Sequence, residues 1–250
     1  MHVVAPREED EGSRLVLGGA ISRGIVDLPR EIVEQPFELV ELQTGKRLDY
    51  QIVRTTDPQA AVPWAAEGVA TGDMTELVFV ADALPAMGYR SYGILPCEKW
   101  PRFAEDSTAA SDVLENRFFR LEMDSERGVV RSLFDKELGR ELIDAEAPHG
   151  FGQLIVRDCG TGEEENGNRP KGISLTQDGP LFSKIRLQTA ASCCPRVTVE
   201  IALYHTIKRV DFNARILRDS TPTKEVFFAF PFHVEEPHFH FEAPNAVIEP

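Results

Sequence analysis

From Val113 to Asp144 the chain reads VLENRFFRLEMDSERGVVRSLFDKELGRELID, and this stretch constrains the fold more tightly than any other. Apolar and polar residues alternate with a period of two, interrupted by turn chemistry, which is a strand pattern and not a helical one. Leu114, Phe118 or Phe119, Leu121 and Met123 supply an apolar face, while Glu115, Arg117, Arg120 and Glu122 stay wet. The doublet Phe118-Phe119 breaks the alternation and predicts a bulge. DSERG is a turn in which Gly128 is free to take a positive φ. Val129 to Phe134 returns as the partner strand. DKELGRELID turns again at Gly139, and Leu142-Ile143 enter a further strand.

The rest of the chain repeats this habit. RLVLGG, RGIVDLP, PFELVEL, RLDYQIV, ELVFVAD and YRSYGIL are short β-type runs, with Pro29, Pro36, Gly45, Pro58, Pro63, Gly72, Pro85 and Gly88 between them. LVELQTGKRLDYQIV is a hairpin with Thr44-Gly45-Lys46 as its turn. Such spacing, with hardly any helix-period segment, predicts an all-β chain of antiparallel sandwiches. Residues 1–12 are expected to be a leader without fixed structure and 13–97 a small sandwich. Residues 98–112, small and polar, read as a linker that Trp100 pins to one domain. Residues 113–250 read as the beginning of a second, larger sandwich. Within it GFGQLIVRD is a strand and CGTGEEENGNRPKG a long polar surface loop. SLTQDGPLFSKIRLQTAAS, RVTVEIALYHTI and KRVDFNARILRDS give three more strands, with Val197, Val199, Ile201, Leu203 and His205 on one side of the second. EVFFAFPFHVEEPHFHFEAP reads as strand, bend and strand.

Charge narrows the partners. Formal net charge is −14, which repels a phosphate backbone and disfavours nucleic acid and anionic membranes. No apolar run approaches the length of a membrane span. The start MHVVAPREEDEG carries acid where a signal peptide would carry base. Cys97, Cys159, Cys193 and Cys194 show no metal-ligand spacing, and the adjacent pair would bridge only with strain. Free thiols in a reducing cytoplasm are therefore expected, and a redox switch at Cys193-Cys194 is the less favoured reading.

Local features that could carry chemistry each have a plainer reading. His238 and His240, two apart on an expected strand, share a face that can hold a metal. No spacing fixes a third ligand, and Phe239 and Phe241 fit the opposite, buried face, so a wet strand face is preferred. Trp100 could stack on a pyranose, but such a residue is more often packing. Hydrolysis of a glycoside needs two carboxyls about 5–9 Å apart. Among 41 acidic residues the sequence picks no pair, and Glu163, Glu164 and Glu165 beside Asp158 read as a solvated loop. There is no phosphate-binding glycine fingerprint and no nucleophile elbow.

The pattern L-E-N-x-F-x-R-L, a glycine turn, and S-L-x-D-K-E-L-G-R-E-L-I-D resembles the opening of the large C-terminal β-sandwich of glycoside hydrolase family 38 α-mannosidases. Ala147 to Leu154 is similar to that family's next strand, as are Ala229-Phe230-Pro231-Phe232 and Asn245 to Pro250. PAMGYRSYGI resembles the last strand of the small β-domain before that sandwich. The resemblance implies retaining α-mannosidases whose nucleophile and divalent metal, typically zinc, belong to an N-terminal barrel. No motif here matches that barrel, so no catalytic residue, metal ligand or cofactor is carried over. The expectation is a non-catalytic β-region that packs on a mannosidase barrel domain or chain and lends polar groups to the rim of its sugar site. Gln153 and Asp158 are the rim candidates. An uncovered sandwich edge also invites self-association into a homo-oligomer. Two alternatives remain open: a stand-alone carbohydrate-binding or scaffold module, and an aldose-epimerase-like enzyme with a Glu base and His205 as its acid.

Overall fold

The hairpins written into the sequence form, and each closes on a local side chain. In this computed structural model residues 2–4, 20–25, 34–54, 75–81, 89–103, 107–168, 170–220, 223–244 and 246–249 are described. Among them there is no helix, and every regular element is a strand in an antiparallel sheet. The expected run at 14–19, most of the leader and the turns at Pro29, Pro58, Pro63, Gly72, Pro85 and Gly88 lie outside the described residues. By contact the chain divides into two units. The first is Met1–Ala109, Leu175–Ile185 and Ile201–Phe212, and the second is Ala110–Ser174, Arg186–Glu200 and Asn213–Pro250.

The first unit opens with β1 (His2–Val4), β2 (Ala20–Ile25), β3 (Phe37–Glu41), β4 (Arg47–Leu48), β5 (Tyr50–Arg54), β6 (Thr75–Ala81), β7 (Tyr89–Pro96) and β8 (Thr108–Ala109). Two sheets result, ordered β1-β7-β3-β4 and β2-β6-β5. His2–Val4, placed in the leader by the sequence, pairs with Tyr89–Ser91. The hairpin at Thr44-Gly45-Lys46 pairs Val40 with Arg47. After one residue, Asp49, the chain has left that sheet for the other. This crossing puts Phe37, Leu39 and Tyr92 of one sheet and Tyr50, Val53, Leu77 and Phe79 of the other in a single core. Phe37 stacks on Tyr50 at 4.5 Å, and Phe79 meets Tyr92 edge to face at 4.8 Å. Leu181, Phe182, Ala202 and Tyr204, from much later in the chain, complete that core. Gln51 fastens them: its buried Oε1 accepts from Leu181 N at 3.3 Å and Phe182 N at 3.1 Å.

In the second unit β9 (Val113–Glu115), β10 (Phe119–Asp124), β11 (Val129–Asp135) and β12 (Arg140–Glu141) form a meander. Leu114, Phe119, Leu121, Met123, Val129, Val130 and Leu133 are its buried face. The bulge expected at Phe118-Phe119 is instead a hairpin turn. Buried Asn116 accepts from Phe118 N and Phe119 N, both at 2.8 Å, and that local bond reverses the chain there. The register shift falls between Glu122 and Met123. β13 (Gln153–Asp158) lies between β14 (Glu164–Asn166) and β19 (Lys224–Ala229). The polar segment expected to be a loop thus contains β14, which ladders with Ile155–Arg157. Asn168 anchors its far end, its side-chain oxygen accepting from Leu154 N and its amide donating to Gly128 O.

SLTQDGPLFSKIRLQTAAS is two strands, β15 (Gly172–Gln177) and β16 (Phe182–Ala191), because Asp178-Gly179-Pro180 breaks it. With β17 (Cys194–Tyr204) and β18 (Val210–Leu217) they form a sheet in chain order. Val197, Val199, Ile201 and Leu203 are buried as expected, and His205 lies just past the strand end. β20 (Phe241–Ala243) and β21 (Ala246–Ile248) are a short hairpin. His238 and His240 are not on a strand. Phe239 and Phe241, expected inside, are 63% and 51% exposed, since no described element covers them.

Two substitutions test this account. Gln51→Leu removes the acceptor from two buried N–H groups and should lower the unfolding free energy by about 1–3 kcal/mol in urea titration. Gly139 has φ 65° and open space around it, so Gly139→Ala isolates the dihedral cost, a loss of about 1–2 kcal/mol in the same measurement.

Candidate functional site

Gln153 and Asp158 stand at opposite ends of β13, opposite Ala229 and Lys224 of β19. Five residue steps of extended strand set them about 17 Å apart, so they do not converge. Gln153 is buried, and its Oε1 accepts from Gly150 N at 2.7 Å. Asp158 Oδ1 accepts from Gly160 N at 2.8 Å and Thr161 N at 3.1 Å, while Lys224 Nζ sits 2.9 Å from Oδ2. The Lys224 contact, helped by the two amides, holds its pKa down at about 2. Each side chain is committed within its own sheet or turn. Glu164 takes Arg157 at 2.6 Å and His149 at 3.4 Å, and the arginine holds its carboxyl below the usual range.

Elsewhere the sequence candidates are dispersed. Trp100 is half-exposed and meets Phe37 edge to face at 5.9 Å, the packing role expected of it. His240 Nδ1 lies 3.7 Å from Glu249. Among the described residues no group of three His, Cys, Asp or Glu side chains is arranged to hold a metal ion. Cys193 and Cys194 are buried thiols with sulfurs 3.6 Å apart. Burial, then the hydrogen bond with Cys193, pushes the Cys194 thiol up to about 11, which withholds the thiolate that chemistry would need.

The residues that do converge lie in the first unit. Asp178-Gly179-Pro180, between β15 and β16, faces a cavity of about 730 Å³ whose other lining residues are Pro101, Arg102, Phe103 and Ser107. Behind it runs a chain of hydrogen bonds. Ser183 Oγ donates to Asp178 Oδ1 at 2.6 Å, and His205 Nε2 lies 3.0 Å from the same hydroxyl. A carboxylate oxygen only accepts, so the serine proton points at Asp178 and the imidazole must donate from Nε2. His205 Nδ1 is then an unprotonated nitrogen, buried and without a partner.

That order matters chemically. A nucleophilic serine must give its proton to the histidine, and here the bond runs the other way. The imidazole N–H that an epimerase-like acid would deliver is also spent on Ser183. The arrangement instead fixes one oxygen of Asp178 at the cavity wall. Gln51 braces the same wall, since its amide carbon lies 2.5 Å from where a Cβ on Gly179 would sit. Phe103 is held edge to face on Tyr50 at 5.2 Å. Nothing in the sequence pointed to Arg102 or Phe103, which fell in the expected linker. For Asp178 the signal was the turn tripeptide alone.

Comparison with known proteins adds what these distances cannot. The sequence profile described as "Glycosyl hydrolases family 38 C-terminal domain" matches residues 114–249, more than half of the chain. The chain belongs to glycosyl hydrolase family 38. Among solved structures it is similar to a protein in glycosyl hydrolase family 38 from Enterococcus faecalis. The TM-score is 0.59 and the identity 10%, over 93% of this chain and 33% of that one. It is also similar to an alpha-mannosidase from Enterococcus faecalis V583, with a TM-score of 0.52 and 10% identity over 88% of this chain and 30% of the other. At that identity the likeness speaks for the fold. The family 38 chain described here spans about a third of the length of each. Comparison with curated protein sequences gave no match.

His205 gives this site a pH signature. Burial lowers its pKa, and Asp178 only partly opposes this. The folded state therefore refuses a proton that the unfolded chain accepts, so stability is full above the ordinary imidazole range and is lost as pH falls through it. Between about pH 7 and pH 5 the wild type should lose urea stability relative to His205→Gln, with the two converging or crossing at the acid end.

Proposed function

We propose that this chain is a non-catalytic β-sandwich portion of an α-mannosidase of family 38, serving a catalytic barrel domain or chain that lies outside these 250 residues. The observation that carries the reading is the family's C-terminal domain profile over residues 114–249. It is supported by the similarity to an alpha-mannosidase whose chain is about three times as long as the part this one matches. The side-chain chemistry agrees. The hydroxyl of Ser183 is turned away from its histidine, and the carboxylate of the rim candidate Asp158 is engaged by its own turn and by Lys224.

A binding role toward further polypeptide also has a physical basis. Phe230 and Phe232 flank buried Phe151 at 5.2 and 5.0 Å, yet are 44% and 53% exposed. Phe239 and Phe241 are exposed as well, and exposed apolar rings of this kind are what another protein surface covers. The four cysteines, all unpaired, fit work in a reducing cytoplasm.

The experiment is complementation. A family 38 barrel polypeptide lacking its own β-region should gain activity toward p-nitrophenyl α-mannoside when this chain is added, whereas this chain alone should release nothing. Hydrolysis by the isolated chain, or no gain on mixing, would overturn the proposal.

A further inference from the structure

We infer that the cavity between Pro101–Phe103 and Asp178–Pro180 is a binding subsite for a neutral sugar, held by Arg102 and Asp178 over the ring of Phe103. Two opposite charges line one cavity, yet they form no ion pair with each other. Arg102 has no hydrogen bond or ion pair with any described residue. Asp178 has one hydrogen bond, through Oδ1 to Ser183, so its Oδ2 is uncommitted. A guanidinium offers a fork of donors and a carboxylate oxygen offers acceptors, and adjacent hydroxyls of a pyranose need both at once.

The alternatives fit less well. A phosphorylated or carboxylated ligand would meet Arg102 but also Asp178, on a chain of net charge −14. A cation would meet the guanidinium. Neutrality satisfies both walls. Phe103 supplies the apolar ring face that pyranose C–H groups pack on, and the cavity volume lies within the usual range of small-molecule sites.

The walls are also pre-positioned, which limits the ordering cost of binding. Ser183 and His205 fix Asp178, Gln51 holds the backbone just after Gly179-Pro180, and Tyr50 holds Phe103. The choice of a pyranoside as ligand rests on the mannosidase reading above; the need for a neutral polyhydroxyl ligand rests on the cavity itself.

The test is an amide-resolved NMR titration of the full chain with methyl α-mannopyranoside, methyl α-glucopyranoside and inorganic phosphate. Saturable shifts at Ser107 and at Asp178, Gly179 and Leu181 with at least one pyranoside are expected, and none there with phosphate. Arg102→Ala, which leaves the Ser183 network intact, and Asp178→Asn should each weaken that response about tenfold or more. Arg131→Ala, at an exposed ion pair of the second unit, should leave it unchanged. Absence of sugar shifts, shifts confined to other residues, a phosphate response at this cavity, or variants that bind like wild type would each overturn the inference. Sugar binding by a chain that never complements a barrel would remove the mannosidase reading and leave the subsite standing. Complementation without sugar binding here would do the reverse.

Discussion

The reversals of this chain are held by side chains that bond their own turn, and everything larger depends on that. Asp124, Asp135 and Asp158 each accept from the N–H groups two and three residues on. In each case the residue four positions on is a glycine with φ between 65° and 73°. Glu41 varies the theme, taking the Thr44 hydroxyl while Gly45 N returns to its carbonyl. Because side chains alternate across a strand, a slip of one residue would turn every core residue of a hairpin toward water. An acid and a glycine at fixed separation forbid that slip before any distant packing forms.

This device explains what could be read in advance. The turns at Gly45, Gly128 and Gly139 and the strands between them were legible because every cue is local. The turn at Asn116 was not, since a doubled phenylalanine reads equally well as a bulge until the asparagine bonds are seen. β14 was missed because an edge strand of Glu164, Glu165 and Asn166 carries no apolar alternation. The opposite error fell on His238 to His240, where alternation is present but no described strand forms. Period-two patterning reports a strand only where something covers one face.

The same contrast holds for chemistry. Asp158 looked like a rim acid in a sugar-cleaving family and is one of three turn aspartates, distinguished by its lysine. Arg102 carries no mark in the sequence and Asp178 only its turn tripeptide, and they line one cavity only because the chain returns to the first unit. A constellation drawn from distant segments is visible only in three dimensions, whereas a turn announces itself in five residues.

β16 and β17 belong in part to each of the two contact units, and the first core is finished by Leu181, Phe182, Ala202 and Tyr204. No single scission of the polypeptide therefore releases either sandwich whole. During synthesis Phe37, Tyr50, Phe79 and Tyr92 must wait, their hydrophobic interior open, until Tyr204 has left the ribosome. Recombination between relatives would have to exchange these strands together with the sheets they complete.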